Sequence, residues 1–191
     1  MQRIGEVVES NTNEFVTQCY ELYGSPALGS LVKVGEIGVV YGIVSYSSTS
    51  GLDPSRRSVA RGQNLETERE VYESNPQLSR LLSTEFSCIT VGYADSCGIT
   101  TYLPPAPPKL HSFVNNCDPK EVRSFVNSMG FMNSILRLNY PQCDDIVAAF
   151  IRFACATLPD LVELRLQAAR QIANLLGNDT RRLEGILRRI R

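Results

Sequence analysis

Six cysteines, a single histidine and a few charged clusters are the residues here whose types and spacing could do chemistry. The cysteines are Cys19, Cys88, Cys97, Cys117, Cys143 and Cys155. A zinc knuckle or a redox dithiol needs two thiols a couple of residues apart, so that both reach one centre. No pair has that gap, and the wide spacings in a chain without an export signal argue against a disulfide framework. Cys88 and Cys155 sit in apolar runs and read as small buried hydrophobes. His111 could activate a nucleophile only with a partner in reach. The Gly-x-Ser-x-Gly turn that exposes a nucleophilic serine is absent, so His111 reads as a surface or packing residue. Asp144-Asp145 resemble paired acids, yet neighbouring helix positions point about 100° apart. Carboxylates at that place stabilise a helix N-terminus instead. No catalytic set, cofactor motif or metal-ligand set is legible, and a non-enzyme is expected.

Arg56, Arg57 and Arg61 precede an acidic run, Glu66, Glu68, Glu70 and Glu73. They could grip a phosphate or carboxylate bidentately, or pair with those glutamates across a loop at small net gain. The second reading is preferred. A sharper asymmetry lies at the C-terminus. From Arg165 on, seven Arg stand against Asp179 and Glu184, a net of +5 on a body of −6, within a whole-chain charge of −1. Residues 180–191 put Leu183, Ile186, Leu187 and Ile190 on one helical face and Arg181, Arg182, Arg188 and Arg189 around the other. So short a helix is marginal alone in water and needs a surface. That surface could be this chain's acidic body, a neighbouring subunit, or an anionic membrane or nucleic acid; packing on protein is preferred. The candidate interaction residues are therefore Arg56, Arg57, Arg61, Arg181, Arg182, Leu183, Ile186, Leu187, Arg188 and Arg189. Asn178-Asp-Thr180 and the Pro105–Pro108 repeat match glycosylation and SH3-ligand patterns, but read as a helix boundary and a spacer.

The elements that would position these residues change character along the 191 residues. The first hundred are β-rich. Residues 4–9 and 14–20 flank Ser10-Asn-Thr-Asn as a hairpin. Residues 30–34 and 39–46 give two more strands, and Gly42 inside the second signals a bulge. Residues 47–51 read as a polar loop tip. An insertion over about 52–82 holds the arginines, the acidic run and one short helix from Gln77 to Leu82. Strands at 84–93 and 98–103 follow. Many short strands with glycine at their bends favour a closed barrel, which leaves no edge exposed.

Four prolines between Leu103 and Lys109 can neither pair in a central strand nor continue a helix. They read as a semi-rigid linker over 104–117. Beyond it the apolar period becomes helical. Asp118-Pro-Lys-Glu121 is a capped helix start. A second helix opens at Asp144-Asp145 and ends near Pro159. A third, capped by Asp160, carries Leu161, Leu164, Ala168, Ile172 and Leu175 on one face and ends at Gly177. The expected fold class is thus α+β: a small closed barrel of about six strands over 1–103, then a small all-α domain over 118–191.

The order of the Ile4-Gly-x-Val-Val8 strand, Phe15-Val, Gly29-Ser-Leu-Val-Lys-Val34, Val40-Tyr-Gly-Ile-Val44, the Thr84-Glu-Phe strand to Val91-Gly92 and the proline-rich exit resembles the HAS barrel. That barrel is the N-terminal one of HerA-type helicases and ATP synthases. The chain is most similar to stand-alone, cyanobacterial-type HAS-barrel proteins over residues 3–114. In larger relatives the barrel is a docking collar on a ring ATPase. This chain has three lysines, Lys33, Lys109 and Lys120, and no Gly-Lys-Ser/Thr to hold a nucleotide phosphate. The resemblance implies a collar without a motor: a non-catalytic interaction module that docks onto itself or onto a larger, ring-ATPase or DNA-processing, complex. A rival reading is a small barrel that binds single-stranded nucleic acid by stacking on tyrosines. Tyr20, Tyr23, Tyr41, Tyr46 and Tyr93 lie near strands, but among few basic residues. The start of the sequence, with Glu6 and Glu9 before any apolar run, lacks a secretory signal. No run approaches a membrane span, and a cytoplasmic setting is expected.

Overall fold

The structure is a computed structural model that describes residues 3–36, 38–53, 55, 58–138, 142–159 and 161–190. Its β part consists of β1 (Arg3–Ser10), β2 (Glu14–Cys19), β3 (Leu31–Val34), β4 (Val40–Gly51), β5 (Leu82–Asp95), β6 (Gly98–Thr100) and β7 (Phe113–Asn116). All pairings are antiparallel, in the order β2-β1-β7-β3-β4-β5-β6. The ladder also returns on itself. Glu85–Ile89 of β5 pair with β2 on one side and β4 on the other, which makes the sheet barrel-like.

Strand periodicity then sorts the side chains. Val7, Phe15, Val32, Val34, Val44, Phe86, Cys88 and Val114 fill the inside as one apolar cluster. Leu31, Tyr41, Ile43, Ile89 and Val91 alternate with them and face outward. Gly42 falls on the inner face, where a Cβ would stand 2.6 Å from the Phe15 ring and 2.8 Å from Cys88 Cβ. The register slips between Tyr41 and Gly42, the bulge that glycine signalled.

The outward-facing apolar row is covered by helices. These are α3 (Pro119–Ser128), α4 (Phe131–Arg137), α5 (Cys143–Thr157), α6 (Leu161–Leu176) and α7 (Thr180–Arg189), preceded in the chain by the short α1 (Glu68–Ser74) and α2 (Leu78–Leu81). Asp118 caps α3 by accepting from the backbone N–H of Lys120 and Glu121, and Glu121 accepts from the Asp118 N–H in return. A tilted aromatic chain, Tyr41–Phe125–Phe131–Phe150, runs from β4 through α3 and α4 to α5 with ring centroids 5.0–5.7 Å apart. Sheet and helices share one hydrophobic core. At its edge, Lys33 of β3 donates to both carboxylate oxygens of Glu121 at 2.8 Å, and the Tyr41 hydroxyl donates to Oε1 at 3.1 Å.

The sheet meets α5 backbone to backbone at Gly29. This glycine has φ +82° and touches the α5 backbone so closely that a Cβ would lie 2.4 Å from the carbonyl carbon of Ala149 and the nitrogen of Phe150. Only a residue without a side chain fits both conditions.

Four sequence expectations need correction. Residues 47–51 are not a loop tip. They prolong β4 and pair with Leu82–Phe86 of β5, the last three residues in an arm that β2 no longer reaches, pinned by a 2.8 Å bond between the Thr49 and Thr84 hydroxyls. A ladder needs backbone partners, not apolar side chains, so the serine run did not end it. Leu82 accordingly starts a strand and does not finish the helix. The expected linker over 104–117 is not all spacer: Phe113–Asn116 is β7, wedged between β1 and β3. The sheet therefore draws its strands from both sides of the prolines. Finally, α1 and α4 form where no helix was anticipated. Among the described residues, no helix is long and apolar enough to cross a membrane.

Candidate functional site

The β4–β5 arm carries the insertion, and between them lies a cleft of about 580 Å³. Gly51, Leu52, Asp53, Ser58, Val59, Arg61, Val71, Leu78, Leu81 and Leu82 line it. The walls follow from local folding. Thr67 caps α1 by accepting from the Glu70 N–H, and the Glu70 carboxylate accepts from the Thr67 hydroxyl. Helix α1 then points Val71 inward. Leu52 N–H donates to the Leu81 carbonyl, which ties the arm to α2. The apolar walls stay wet: Leu52, Leu81 and Val59 are 54%, 51% and 75% exposed. That volume suits a bound group of drug size or a few apolar side chains of a partner.

Two charged residues sit in the lining. Asp53 accepts from the N–H and hydroxyl of Ser55, which hold its carboxyl below the usual aspartate range. Arg61 donates to the Asn75 side-chain oxygen at 3.1 Å. The expected pairing of Arg61 with the acidic run is absent among the described residues. Glu73 is taken by Arg69 one turn away, and Glu70 is used in the cap. Arg56 and Arg57 lie outside the described residues.

At the other end of the molecule the basic helix α7 is docked on its own chain. Ile186 is fully buried and Ile190 nearly so, and Leu183 and Leu187 pack against the same core. Arg182 binds Asp144 through two nitrogens, at 2.7 and 2.9 Å, and also donates to the Leu136 carbonyl. Arg189 pairs with Asp145 at 2.7 Å, and Arg152 donates to the Arg189 carbonyl. Asp144 and Asp145 do occupy the first turn of α5 as expected, and they also anchor this second helix. Of the C-terminal candidates, Leu183, Ile186, Leu187 and Arg182 are spent on intramolecular packing. Arg181, Arg188 and Arg189 keep exposed surface. Gly177, at φ +56°, ends α6, and the Asp179 side chain caps α7, so 178–180 is the helix boundary read from sequence. The capping role foreseen for Asp160 lies outside the described residues.

His111 is exposed, has φ +64° and faces Glu6 at 3.1 Å. Its N–H donates to the Val7 carbonyl, which carries the chain into β7. Bonds from the Tyr20 hydroxyl and from His111 hold the Glu6 carboxyl below the usual glutamate range. Tyr20, Tyr23 and Tyr46 are more than half exposed, whereas Tyr41 is buried. Tyr23 and Tyr72 share a hydroxyl contact. All six thiols are free, and Cys88, Cys143 and Cys155 are buried. Among the described residues, no group of three or more Cys, His, Asp or Glu is placed to hold a metal ion.

Sequence reasoning did not single out the cleft's apolar residues, Leu52, Val59, Val71, Leu78 and Leu81. Their signal was present: isolated large apolar residues recur through a polar insertion that has no core of its own. No family model matches this chain, and no curated protein matches it.

Proposed function

We propose that this protein is a non-catalytic binding module for other proteins, built on a HAS-type small closed barrel. It docks onto itself or onto a larger assembly of the ring-ATPase or DNA-processing kind, in a cytoplasmic setting. The observation that carries this reading is the cleft of the 52–82 insertion. A contiguous apolar surface left half open on a folded chain costs solvation free energy unless a partner covers it. The insertion also projects from the arm, clear of the shared core, as binding loops on a rigid scaffold do. Immobilised protein and a Leu81→Asp variant, each exposed to native-host lysate, test the reading by quantitative mass spectrometry. Wild type should enrich specific proteins that Leu81→Asp loses. Enrichment of nothing above bare beads, or an identical set on both, overturns it.

Single-stranded nucleic acid is the second reading, and the exposed Tyr20, Tyr23 and Tyr46 favour it. Their surroundings oppose it: the Tyr20 hydroxyl donates to the Glu6 carboxylate, and Glu68 acts on Tyr23. Fluorescence anisotropy with a labelled oligonucleotide should show no binding. Tight binding that weakens steeply with salt would promote this alternative over the first.

A further inference from the structure

We propose that the outer edge of β4, where it forms the arm, pairs with the same edge of a second copy of this chain, antiparallel about a two-fold axis at Thr49; this deepens the protein-binding reading above and rests on it. Along a strand, alternate residues turn both backbone groups to the same neighbour. Leu52 N–H donates to the Leu81 carbonyl, so in this register Ser50, Ser48 and Tyr46 also turn theirs to β5. Ser47, Thr49 and Gly51 therefore turn their N–H and C=O groups the other way. The bond between the Thr49 and Thr84 hydroxyls agrees, because side chains stand closest across a pair that shares no backbone bonds. On that outer side β3 pairs with Val40–Ile43, and Ser30 accepts from the Val44 N–H. Beyond Val44, among the described residues, no backbone partner meets the outward groups of Ser47, Thr49 or Gly51.

Native edges are guarded by lysine, proline, a bulge or a covering element. Residues 45–52, Ser-Tyr-Ser-Ser-Thr-Ser-Gly-Leu, hold no charge and no proline, and the register slips on β4 end at Tyr46. Ser47 and Thr49 are exposed. The edge is complementary to itself. Set antiparallel with Thr49 opposite Thr49, Ser47 comes opposite Gly51 at both ends. All three outward residues are then used, each pair exchanging both bonds, and no like charges meet. The same register puts Tyr46 of one copy directly opposite Leu52 of the other, on one face of the joined ribbon, and does so twice. In the single chain these two side chains are 62% and 54% exposed. Sliding the strands by two residues separates Tyr46 from Leu52, and sliding by one sets outward groups against groups already bonded to β5. Leu52 also lines the cleft, so Tyr46 of the second copy comes to its mouth. A two-fold contact uses each edge once, and the dimer is its end point.

Sedimentation velocity over a concentration series tests this on the full chain, with Thr49→Lys, Thr49→Glu, an equimolar mixture of those two, and Ser47→Pro. Both positions are exposed, and Ser47→Pro removes an N–H that the chain's own ladder does not use; circular dichroism checks folding. Wild type should pass from monomer to dimer as concentration rises and go no further. Thr49→Lys and Thr49→Glu each set like charges face to face and should weaken dimerisation about ten-fold or more. Ser47→Pro should weaken it as well, and the mixture should recover it because opposite charges then meet at the axis. A wild type monomeric at every concentration, Thr49 or Ser47 variants that dimerise like wild type, or a mixture that stays monomeric would each overturn the inference. If wild type is monomeric yet still enriches lysate proteins through Leu81, only this inference fails; if it enriches none, the broader reading falls with it.

Discussion

Replacing Gly29 by alanine attacks the seam between the sheet and α5 with a single methyl group. Two costs add. At φ +82° an alanine is strained by roughly 1–2 kcal/mol. The new Cβ would also stand 2.4 Å from two backbone atoms of α5, and backbone cannot rotate away as a side-chain tip can. Forcing a packed interface apart in this way costs about 1–3 kcal/mol more. The expected loss is about 2–5 kcal/mol, or a fall in Tm on the order of 10 °C for a chain of this length. Gly177→Ala isolates the first cost. Gly177 also has positive φ, at +56°, but nothing stands within 4 Å of its Cβ position. Thermal melts followed by circular dichroism at 222 nm should rank wild type above Gly177→Ala, and Gly177→Ala well above Gly29→Ala. Equal losses for the two variants would refute the close approach of the 29–30 loop to α5, and with it the shared core.

Ile186→Ala removes the fully buried anchor of α7 and should cost about 2–5 kcal/mol by urea denaturation. Exposed Arg188→Ala should stay within roughly 0.5 kcal/mol of wild type, and equal effects would mean α7 is not docked. Asp118→Ala tests the α3 cap by its pH dependence. Backbone N–H donors of Glu121 and Lys120 hold the Asp118 carboxyl below its usual value of 3.8. A depressed carboxyl stabilises the fold above the unfolded pKa and loses that contribution as pH falls through the folded one. The Tm gap between wild type and Asp118→Ala should thus be full at neutral pH and close in strong acid; a gap independent of pH contradicts the capping geometry. Among the thiols, exposed Cys97 should react first with Ellman's reagent in the native protein. Burial pushes the Cys19 thiol up to about 11 and raises Cys117 further, so neither forms the reactive thiolate at neutral pH. Several thiols reacting as fast as Cys97 would show that the core is not closed as described.

Wherever a local rule is steep, the sequence was a good guide. Glycine inside a strand marked the bulge at Gly42, and Asp-Pro-x-Glu marked the start of α3. The hairpin turn over 10–13 and the helix boundary over 178–180 were legible for the same reason: each is decided by residues in direct contact along the chain. What escaped was decided by partners far away in sequence. Ser47–Gly51 carry no apolar alternation, and only the distant Leu82–Phe86 segment makes them a strand. Residues 113–116 follow four prolines, and only the gap between β1 and β3 gives them ladder partners. For the candidate site, the basic tail was seen but its surface was not, because Asp144 and Asp145 were explained fully by their own helix. The cleft was missed because its apolar residues follow no period.

Hydrogen–deuterium exchange read by mass spectrometry, at low and at high protein concentration, bears most directly on whether the insertion is a docking surface. Amides of 51–82 should exchange more slowly in the concentrated sample or with a captured protein bound, while the strands facing the barrel-like core stay unchanged. Exchange over 51–82 that is the same at all concentrations, and unaltered by any protein captured from lysate, would contradict the account.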